Sequence, residues 1–347
     1  MTNLSSDLVS IIIINFNGGT MIQKCIESIK KTKTIQYEII LIDNASTDNS
    51  FIECKKIFPD IVFLKNEKNV GLGARNLGLE IAKGNFIAFL DFDTIVEPSW
   101  LEIFVNSFAF NGDGLYQPKL LESKRRDIIN SAGNMMNIFG LAYSRGKGEK
   151  DIGQYNKFSK ISYTSGACTF TSKKITDKVG KIDDIFFAYH DDVDYGWRAA
   201  MMNIPSYYEP KSIIYHYGSK TLSWSPKKFF LLERNRWICL QSLYSNSSQL
   251  KLFPYMLIIE IGISLFFISK GIFFQKIKAI ISLIKLNKQI RQRRLILEEK
   301  KIISDQEIIK NFVDDFFLPS QNGKTNKSFF SKIIELLSKK ARKSLTK

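Results

Sequence analysis

The chain has 347 residues, of which 44% are hydrophobic and 24% are charged, and its formal net charge is +16. That length provides for one sizeable α/β core and an appendage, and the hydrophobic content excludes general disorder. Residues 1–225 carry 26 Lys and Arg against 25 Asp and Glu, whereas residues 226–347 carry 24 against 9. A near-neutral body is therefore followed by a basic part that should attract phosphate groups, in a nucleic acid or at an anionic membrane surface.

The cysteines and the N-terminal residues indicate a reducing compartment. The cysteines lie far apart and form no C-x-x-C pair, so neither a disulfide framework nor a structural zinc site is expected. They are Cys25, Cys54, Cys168 and Cys239. The apolar run over residues 8–14 follows no cationic segment and stops at Asn15, which predicts a strand and not a signal peptide. We therefore expect a cytoplasmic location.

Residues 9–93 alternate between short β-branched runs and longer segments of helical period, which is typical of a parallel sheet wound with helices. The predicted strands are VSIIIIN, YEIILID, IVFLKN and NFIAFLD, at residues 9–15, 37–43, 61–66 and 85–91. Helices are predicted over residues 20–31, from residues 46–48 and over residues 71–82. The fold class is therefore α/β. Because ligands bind at the carboxyl ends of such strands, Asn15, Asp43 and Asp91 should converge.

The sequence FLDFDT, residues 89–94, places Asp91 and Asp93 one residue apart, directly after an apolar strand. In an extended backbone both side chains point to the same side, so the pair can reach one divalent ion and the diphosphate that it neutralises. The alternative is a turn with two solvated carboxylates. Earlier in the chain, Asp43 ends a buried strand and could accept the N3–H of a pyrimidine, whereas Asp48 is expected to cap a helix.

The sequence YHDDVDYGWR, residues 189–198, sets Asp191, Asp192 and Asp194 at the start of a predicted helix, residues 191–202. Such like charges either splay into water or are held together by a cation, a proton or a substrate. His216 ends a predicted strand, residues 212–218, and could complete a metal site begun by carboxylates. The alternative for His216 is a structural histidine.

Residues 226–347 mix Phe, Leu and Ile with Lys and Arg. Residues 252–269 are the one candidate for a membrane span, but Pro254, Glu260 and the short length tell against it. Residues 266–286 predict an amphipathic helix whose lysines lie at the interface of an anionic membrane, and RQRR follows at residues 291–294. These lysines are Lys270, Lys276, Lys278 and Lys285. Docking on the membrane surface, a span, and a protein or nucleic-acid partner all stay open.

A polar linker at residues 319–327 precedes a basic amphipathic helix, residues 329–342.

Seven segments in order resemble the family 2 glycosyltransferases of the GT-A fold, in particular rhamnosyltransferase-like and galactofuranosyltransferase-like members. They are IIIINFNGG, IDNASTDNS, NEKNVGLGARNLGL, FLDFDT, SGACTF, FFAYHDDVDYGWRA and IIYHYGS. The resemblance covers residues 8–225 and implies a Rossmann-like sheet that binds a nucleotide-diphosphate sugar. It also implies inverting transfer of the sugar to an acceptor hydroxyl.

The resemblance assigns roles to positions of this sequence. Phe16 and Asn17 would line the nucleobase, Asp43 would bind it, and Arg75 and Asn76 would lie near the donor. Asp91, Asp93 and His216 would hold Mg²⁺ or Mn²⁺, with Asp93 the direct ligand. Asp192 would be the general base and Asp191 its acidic neighbour, while Asp194 would bind the acceptor or support Arg198. Phe92 departs from the small or polar residue common between the two aspartates, and His190 precedes the acidic pair where aromatic residues are common.

The sequence ERNRW, residues 233–237, looks like the Q-x-x-R-W motif of processive synthases, with Glu in place of Gln. Arg236 would then touch the diphosphate and Trp237 the acceptor. The alternative is a helix with an apolar stripe and solvated arginines.

Three parts are expected: a GT-A catalytic domain at residues 1–225, a basic helical membrane-associating module at residues 226–300 and a helical, polar and basic tail at residues 301–347. The partners would be a nucleotide-diphosphate sugar, a glycan or lipid-linked acceptor and an anionic membrane at the inner face of the cell, with no nucleic acid. A nucleotidyltransferase of the same fold, or a non-enzymatic basic protein that binds membrane or RNA, remains an alternative.

Overall fold

The computed structural model describes residues 8–218, 225–317 and 329–346. The linker predicted at residues 319–327 lies outside them. The strands are β1 (Val9–Asn15), β2 (Tyr37–Asp43), β3 (Val62–Lys65), β4 (Phe86–Asp91), β5 (Thr94–Val96), β6 (Leu115–Glu122), β7 (Ile129–Ser131), β8 (Asn134–Met136), β9 (Ala142–Ser144), β10 (Ser159–Ile161), β11 (Cys168–Ser172) and β12 (Ser206–His216). The helices are α1 (Gly19–Ile29), α2 (Ser50–Ile57), α3 (Arg75–Ile81), α4 (Trp100–Asn111), α5 (Lys173–Val179), α6 (Asp191–Met201), α7 (Pro226–Leu243), α8 (Asn246–Ser269), α9 (Phe273–Lys300), α10 (Asp305–Ile308) and α11 (Phe329–Thr346).

One large sheet has the strand order β10-β12-β6-β11-β4-β1-β2-β3, with β5 paired to β12 and β7 paired to β6. Strands β4, β1, β2 and β3 are parallel, as the alternating pattern predicts. Strand β11 runs antiparallel to both β4 and β6, so the second half of the sheet is mixed. All seven residues of β1 are buried, because helices cover both faces of a parallel sheet.

Two predicted helix boundaries are wrong. The helix predicted from residues 46–48 begins only at Ser50, because the preceding residues form a loop. The amphipathic helix predicted over residues 266–286 is interrupted: α8 ends at Ser269 and α9 begins at Phe273. Gly271 between them has φ +66°, a left-handed conformation that glycine adopts at little cost and that ends helices.

A hydrophobic cluster joins the C-terminal helices to the sheet domain. It contains Phe139 and Trp197 from one side of residue 225, and Ile238, Ile259 and Ile334 from the other. All of these side chains are buried. The division predicted at residue 225 therefore crosses a shared core, and the three-part organisation stays a prediction.

Candidate functional site

The carboxyl ends of β1 and β2 meet through their side chains. The amide of Asn15 donates to Asp43 Oδ1 over 3.2 Å and lies 2.9 Å from the Ser50 hydroxyl. Asn17, just beyond β1, accepts hydrogen bonds from the backbone N–H groups of Thr47 and Asp48. The expected convergence at this edge is confirmed for Asn15 and Asp43.

Two of the side chains expected to bind a nucleobase, Asp43 and Asn17, also form hydrogen bonds within this edge of the sheet. Asp43 is 2% exposed, and its second carboxylate oxygen accepts from the Ser46 backbone N–H. Phe16 is half-buried, and Asn17 is exposed with its side-chain oxygen bonded to the β2–α2 loop. Their contact with a base stays a prediction.

Two carboxylates and an imidazole come together beside this edge. Asp91 ends β4, Asp93 lies in the turn before β5, and His216 ends β12. The antiparallel pairing of β12 with β5 sets His216 opposite Thr94, and so beside Asp93. One ligand atom from each of Asp91, Asp93 and His216 lies within 4.8 Å of the others. Oxygen and imidazole ligands at this separation suit a divalent ion such as Mg²⁺ or Mn²⁺.

The orientation of His216 fits a ligand. Its Nδ1 lies 3.2 Å from the side-chain oxygen of Asn130, an acceptor that favours the proton on Nδ1. That leaves Nε2, 3.3 Å from Asp93, toward the carboxylates. A hydrogen bond to the second ring nitrogen is the arrangement that orients metal-binding histidines.

The backbone of a single residue, Gly166, connects this cluster to the acidic helix. The N–H of Gly166 donates to Asp192 Oδ2 over 3.2 Å, and its carbonyl accepts from Arg75 over 2.8 Å. The same guanidinium nitrogen of Arg75 lies 2.7 Å from Asp91 Oδ1. Arg75 is 3% exposed, so its guanidinium does not lie at the surface. It is connected to the expected donor site through its ion pair with Asp91.

The carboxylates are in an environment that favours protons. Removal from water raises the pKa of Asp91 to about 6, and Arg75 offsets part of this rise while Asp93 adds to it. Burial, and the charge of Asp192 beside it, raise the pKa of Asp191 well above its usual range. Burial also raises the pKa of Asp192, although the N–H groups of Gly166 and Val193 partly compensate. Elevated carboxylate pKa values are typical of catalytic sites.

Residues 10–180 match the family described as Glycosyl transferase family 2. The chain contains a family 2 glycosyltransferase domain. The predicted family is thereby confirmed, whereas the rhamnosyltransferase-like and galactofuranosyltransferase-like subtype stays a prediction. The matched range includes Asp91 and Asp93 and ends before Asp192 and His216.

Curated relatives share part of this domain. The chain is 35% identical over 101 residues to the glycosyltransferase GlyG of Streptococcus pneumoniae, a match that spans 28% of this chain and 34% of GlyG. It is 43% identical over 89 residues to the UDP-Glc:alpha-D-GlcNAc-diphosphoundecaprenol beta-1,3-glucosyltransferase WfaP of Escherichia coli, over 25% of this chain and 36% of WfaP. The matches thus cover well under two thirds of these relatives.

A solved structure has the same fold. GalNAc-T7, crystallised with UDP, GalNAc and Mn²⁺, superposes with a TM-score of 0.58 at 17% identity, over 74% of this chain and 52% of that chain. The predicted GT-A fold is confirmed, and the C-terminal helices are present beside it.

The helix that follows the family 2 match uses Asp194 internally. Asp194 is 1% exposed and binds Arg198 Nε over 2.8 Å and Arg293. Of the two roles predicted for Asp194, the support of Arg198 is present, and both carboxylate oxygens are bonded to buried arginines. Arg293 is likewise no membrane-facing cation, since it also binds Asp183 over 2.6 Å.

Helix α7 holds the loop that leads into α6. The Asn235 side chain donates to the carbonyls of Phe186, Ala188 and Tyr189 at 2.7–3.0 Å. Arg234 donates to the carbonyls of Ile185 and Phe186, both over 3.0 Å. Three loop residues have left-handed backbone conformations, with φ between 61° and 65°: Phe187, Tyr189 and His190. These hydrogen bonds from α7 therefore stabilise a strained loop that directly precedes Asp191 and Asp192.

Arg236 and Trp237 of α7 both make contacts within the protein. Arg236 is 3% exposed, binds Glu233 over 3.1 Å and Glu260, and donates to the Phe139 carbonyl. The predicted contact of Arg236 with diphosphate is wrong, because its guanidinium is committed to two buried carboxylates. Trp237 packs against the shared hydrophobic cluster, and its contact with an acceptor stays a prediction.

Asn76 has a structural role. Its amide nitrogen donates to the Ile182 carbonyl over 2.8 Å, and its oxygen accepts from the Ile182 N–H over 2.9 Å. These two bonds tie α3 of the family 2 domain to the segment before α6. A donor contact by Asn76 stays a prediction.

Sequence reasoning missed Gly166, Arg234 and Asn235. Gly166 lies within SGACTF and the other two within ERNRW, so both segments had been recognised. Each acts through hydrogen bonds between main-chain atoms and side chains that lie far apart in sequence. The residue types give no signal for such bonds. Lys228 was also missed: burial and the nearby charge of Lys147 lower its pKa, and its ammonium lies 5.1 Å from the centre of the Tyr189 ring.

Proposed function

We propose that this protein is an inverting glycosyltransferase that moves a sugar from a nucleotide-diphosphate sugar to an acceptor hydroxyl. The observation that supports the proposal is the backbone of Gly166, whose N–H binds Asp192 and whose carbonyl binds Arg75 beside Asp91. In this proposal Asp192 serves the acceptor, and the cluster around Asp91 serves the donor diphosphate. Family membership and the GT-A fold support the same activity.

Asp91, Asp93 and His216 would hold Mg²⁺ or Mn²⁺, which supplies positive charge to the diphosphate that leaves. Asp192 accepts the proton of the acceptor hydroxyl as that oxygen attacks the anomeric carbon. Burial raises the pKa of Asp192, so that Asp192 is a stronger base than a solvated aspartate, and Asp191 is buried beside it.

The donor nucleotide would lie at the ends of β1 and β2. Phe16 offers a half-buried ring there, and Asp43 offers carboxylate oxygens that each accept one hydrogen bond from the protein. A carboxylate has further lone pairs for the N3–H of a pyrimidine. Asn17 orders the loop beside them through its bonds to Thr47 and Asp48.

The acceptor is proposed to be a lipid-linked or growing cell-surface glycan at the inner face of the membrane. The name of WfaP states a diphosphoundecaprenol-linked acceptor. In this chain, α8 and the first half of α9 expose apolar side chains: Leu257, Ile258, Ile261, Leu265, Ile268, Phe274, Ile277, Ile281 and Ile284. Lys270, directly after α8, and Lys278 and Lys285 of α9 are exposed and would complement anionic lipids.

Helix α8 is the one described helix whose length and hydropathy would allow a membrane crossing. Its Glu260, however, forms an ion pair with Lys276 of α9 over 2.6 Å. A crossing would have to break or carry this pair into lipid, at a cost of several kcal/mol. We therefore propose peripheral or monotopic docking.

A panel of nucleotide-diphosphate sugars tests the proposed activity. Purified protein should be stabilised against heat by one donor class, and more so with Mn²⁺ or Mg²⁺ than with a chelator, because a ligand stabilises in proportion to its binding to the folded state. The same donor should be hydrolysed slowly and transferred to acceptor hydroxyls. Stabilisation by nucleoside triphosphates with release of diphosphate would instead identify a nucleotidyltransferase.

A further inference from the structure

An apolar pocket of about 180 Å³ lies among β9, α7, α8 and α11. Its hydrophobic lining comprises Leu141, Phe229, Ile263, Phe267, Phe316 and Phe330. An apolar cavity of roughly 150 Å³ is enough to hold a benzene molecule. The pocket is therefore large enough for a short stretch of hydrocarbon.

The pocket reaches the start of the acidic helix. His190 lines it and immediately precedes Asp191 and Asp192. The Nε2 atom of His190 is 3.4 Å from the carbonyl of Gly140, another lining residue. The pocket lining thus includes the residue two positions before the proposed general base, Asp192.

The charged residues at the pocket are already paired. Glu233 and Arg236 line it, bind each other and are completed by Glu260 and Lys276. Two carboxylates and two cations leave no net charge for an ionic ligand. The remaining surface favours an uncharged, hydrophobic occupant.

Helix α8 contributes one face to the pocket and exposes apolar side chains on the opposite face. Ile263 and Phe267 line the pocket, whereas Ile261, Leu265 and Ile268 are more than half exposed on the other side of the helix. The chain's own segment between Phe317 and Phe329 reads LPSQNGKTNKS, whose polar composition does not match the pocket.

We propose that this pocket binds the part of an isoprenoid chain nearest to the phosphate of a lipid-linked acceptor. The acceptor sugar then lies on the side of the pocket where His190 leads into Asp191 and Asp192. This inference rests on the proposed glycosyltransferase function and adds the class of acceptor lipid to it.

Calorimetry with farnesyl phosphate and methyl phosphate tests the pocket on the full chain. Farnesyl phosphate should bind at least tenfold more tightly, because its hydrocarbon leaves water for the apolar lining. Ala142→Phe places a ring beside the pocket from β9 and should remove this preference, while the rate of donor hydrolysis stays near that of wild type. Equal affinities for the two phosphates in a protein that hydrolyses donor would overturn the proposal and leave the glycosyltransferase function intact.

Neighbouring phenylalanines supply a matched control. Phe330 lines the pocket, whereas Phe329 is 81% exposed and does not. Phe330→Ala should weaken farnesyl phosphate binding at least threefold and Phe329→Ala should not change it. An equal loss in both variants indicates adsorption to the surface and contradicts the pocket.

Two further results identify a different occupant and count against the proposal. One is displacement of farnesyl phosphate by phosphatidylglycerol vesicles that lack isoprenoids. The other is a tenfold tighter binding in Leu318→Ser, which would mean that the chain's own segment competes for the pocket. Failure of every nucleotide sugar to be hydrolysed by wild type would refute the proposed function instead.

Discussion

At the scale of single residues, Gly166 decides the geometry of the site. Its N–H fixes Asp192 and its carbonyl fixes Arg75, which in turn holds Asp91. Each of these hydrogen bonds involves a charged group, and such bonds are stronger than neutral ones. These bonds link Asp91 to Asp192, and a fixed geometry between donor and acceptor groups favours transfer.

Asp192→Asn should keep the fold and donor binding but reduce transfer by about 10²–10⁴-fold, the range expected when a general base is lost. Asparagine retains the shape and can still accept the bond from the Gly166 N–H, but it cannot take the acceptor proton. Steady-state rates and donor titration check this. Transfer within threefold of wild type would show that Asp192 is not the base.

Asp93→Ala and His216→Ala should each weaken donor binding only when Mg²⁺ or Mn²⁺ is present, because each removes a ligand of the same ion. Titration of the nucleotide with and without a chelator measures the difference. Asn130→Ala, which frees His216 Nδ1, should give a smaller effect in the same direction. If His216→Ala titrates like wild type, His216 is a structural histidine.

At the scale of elements, the start of α6 depends on α7. Left-handed conformations cost about 1–2 kcal/mol for each residue other than glycine, and Phe187, Tyr189 and His190 all adopt them. The Asn235 bonds to three carbonyls of this loop offset that cost. The ERNRW segment therefore acts on the site through loop geometry and not through direct contact.

Asn235→Asp should lower kcat at least tenfold while the KM for the donor stays within about twofold. The carboxylate keeps the shape of asparagine but repels the carbonyls, so the loop shifts Asp191 and Asp192 while the nucleotide edge is untouched. Rates measured well below the melting temperature separate this from unfolding. Asn287→Asp, the same change at an exposed position of α9, is the control, and a parallel rise in KM would argue against loop positioning.

Lys276 was expected to face a membrane, but it is buried and binds Glu233 and Glu260, each over 2.6 Å. Lys276→Ala should lower the free energy of unfolding by about 3–5 kcal/mol, because it removes one of the two cations that neutralise the buried pair Glu233 and Glu260 and leaves Arg236 alone with both. Lys278→Ala, two residues further along α9 and exposed, should change it by about 0.5 kcal/mol or less. Urea unfolding measures both, and equal losses would contradict the buried network.

At the scale of the whole molecule, charge and apolar surface are concentrated in the C-terminal helices. The two sides of residue 225 share one hydrophobic cluster, so these helices form a fixed platform for the site. Their outer faces combine apolar side chains with Lys270, Lys278 and Lys285. Helices in this position would keep the proposed active site at a fixed distance from a membrane surface.

Replacement of Lys270, Lys278 and Lys285 by Glu should release the protein from anionic vesicles, because each well-placed cation contributes about 1 kcal/mol. High salt should weaken binding without abolishing it, since the apolar faces remain. Lys31, Lys33 and Lys55 are exposed on the sheet domain, and their replacement by Glu changes the net charge equally; that variant should still bind. Protein that resists both salt and a carbonate wash would indicate a membrane span.

The sequence by itself determined the parallel part of the sheet and the family, because β-branched runs, helical periods and segments such as FLDFDT are local patterns. It also determined that Asn15, Asp43 and Asp91 share an edge, since parallel strands end together. Only the tertiary structure decided which charges face a ligand. Asp194, Arg236, Lys276 and Arg293 look like surface charges in sequence, yet each is buried against partners at least three residues away, and most of these partners lie on other elements. Whether a charge is solvated or paired depends on these long-range contacts, which composition and periodicity do not encode.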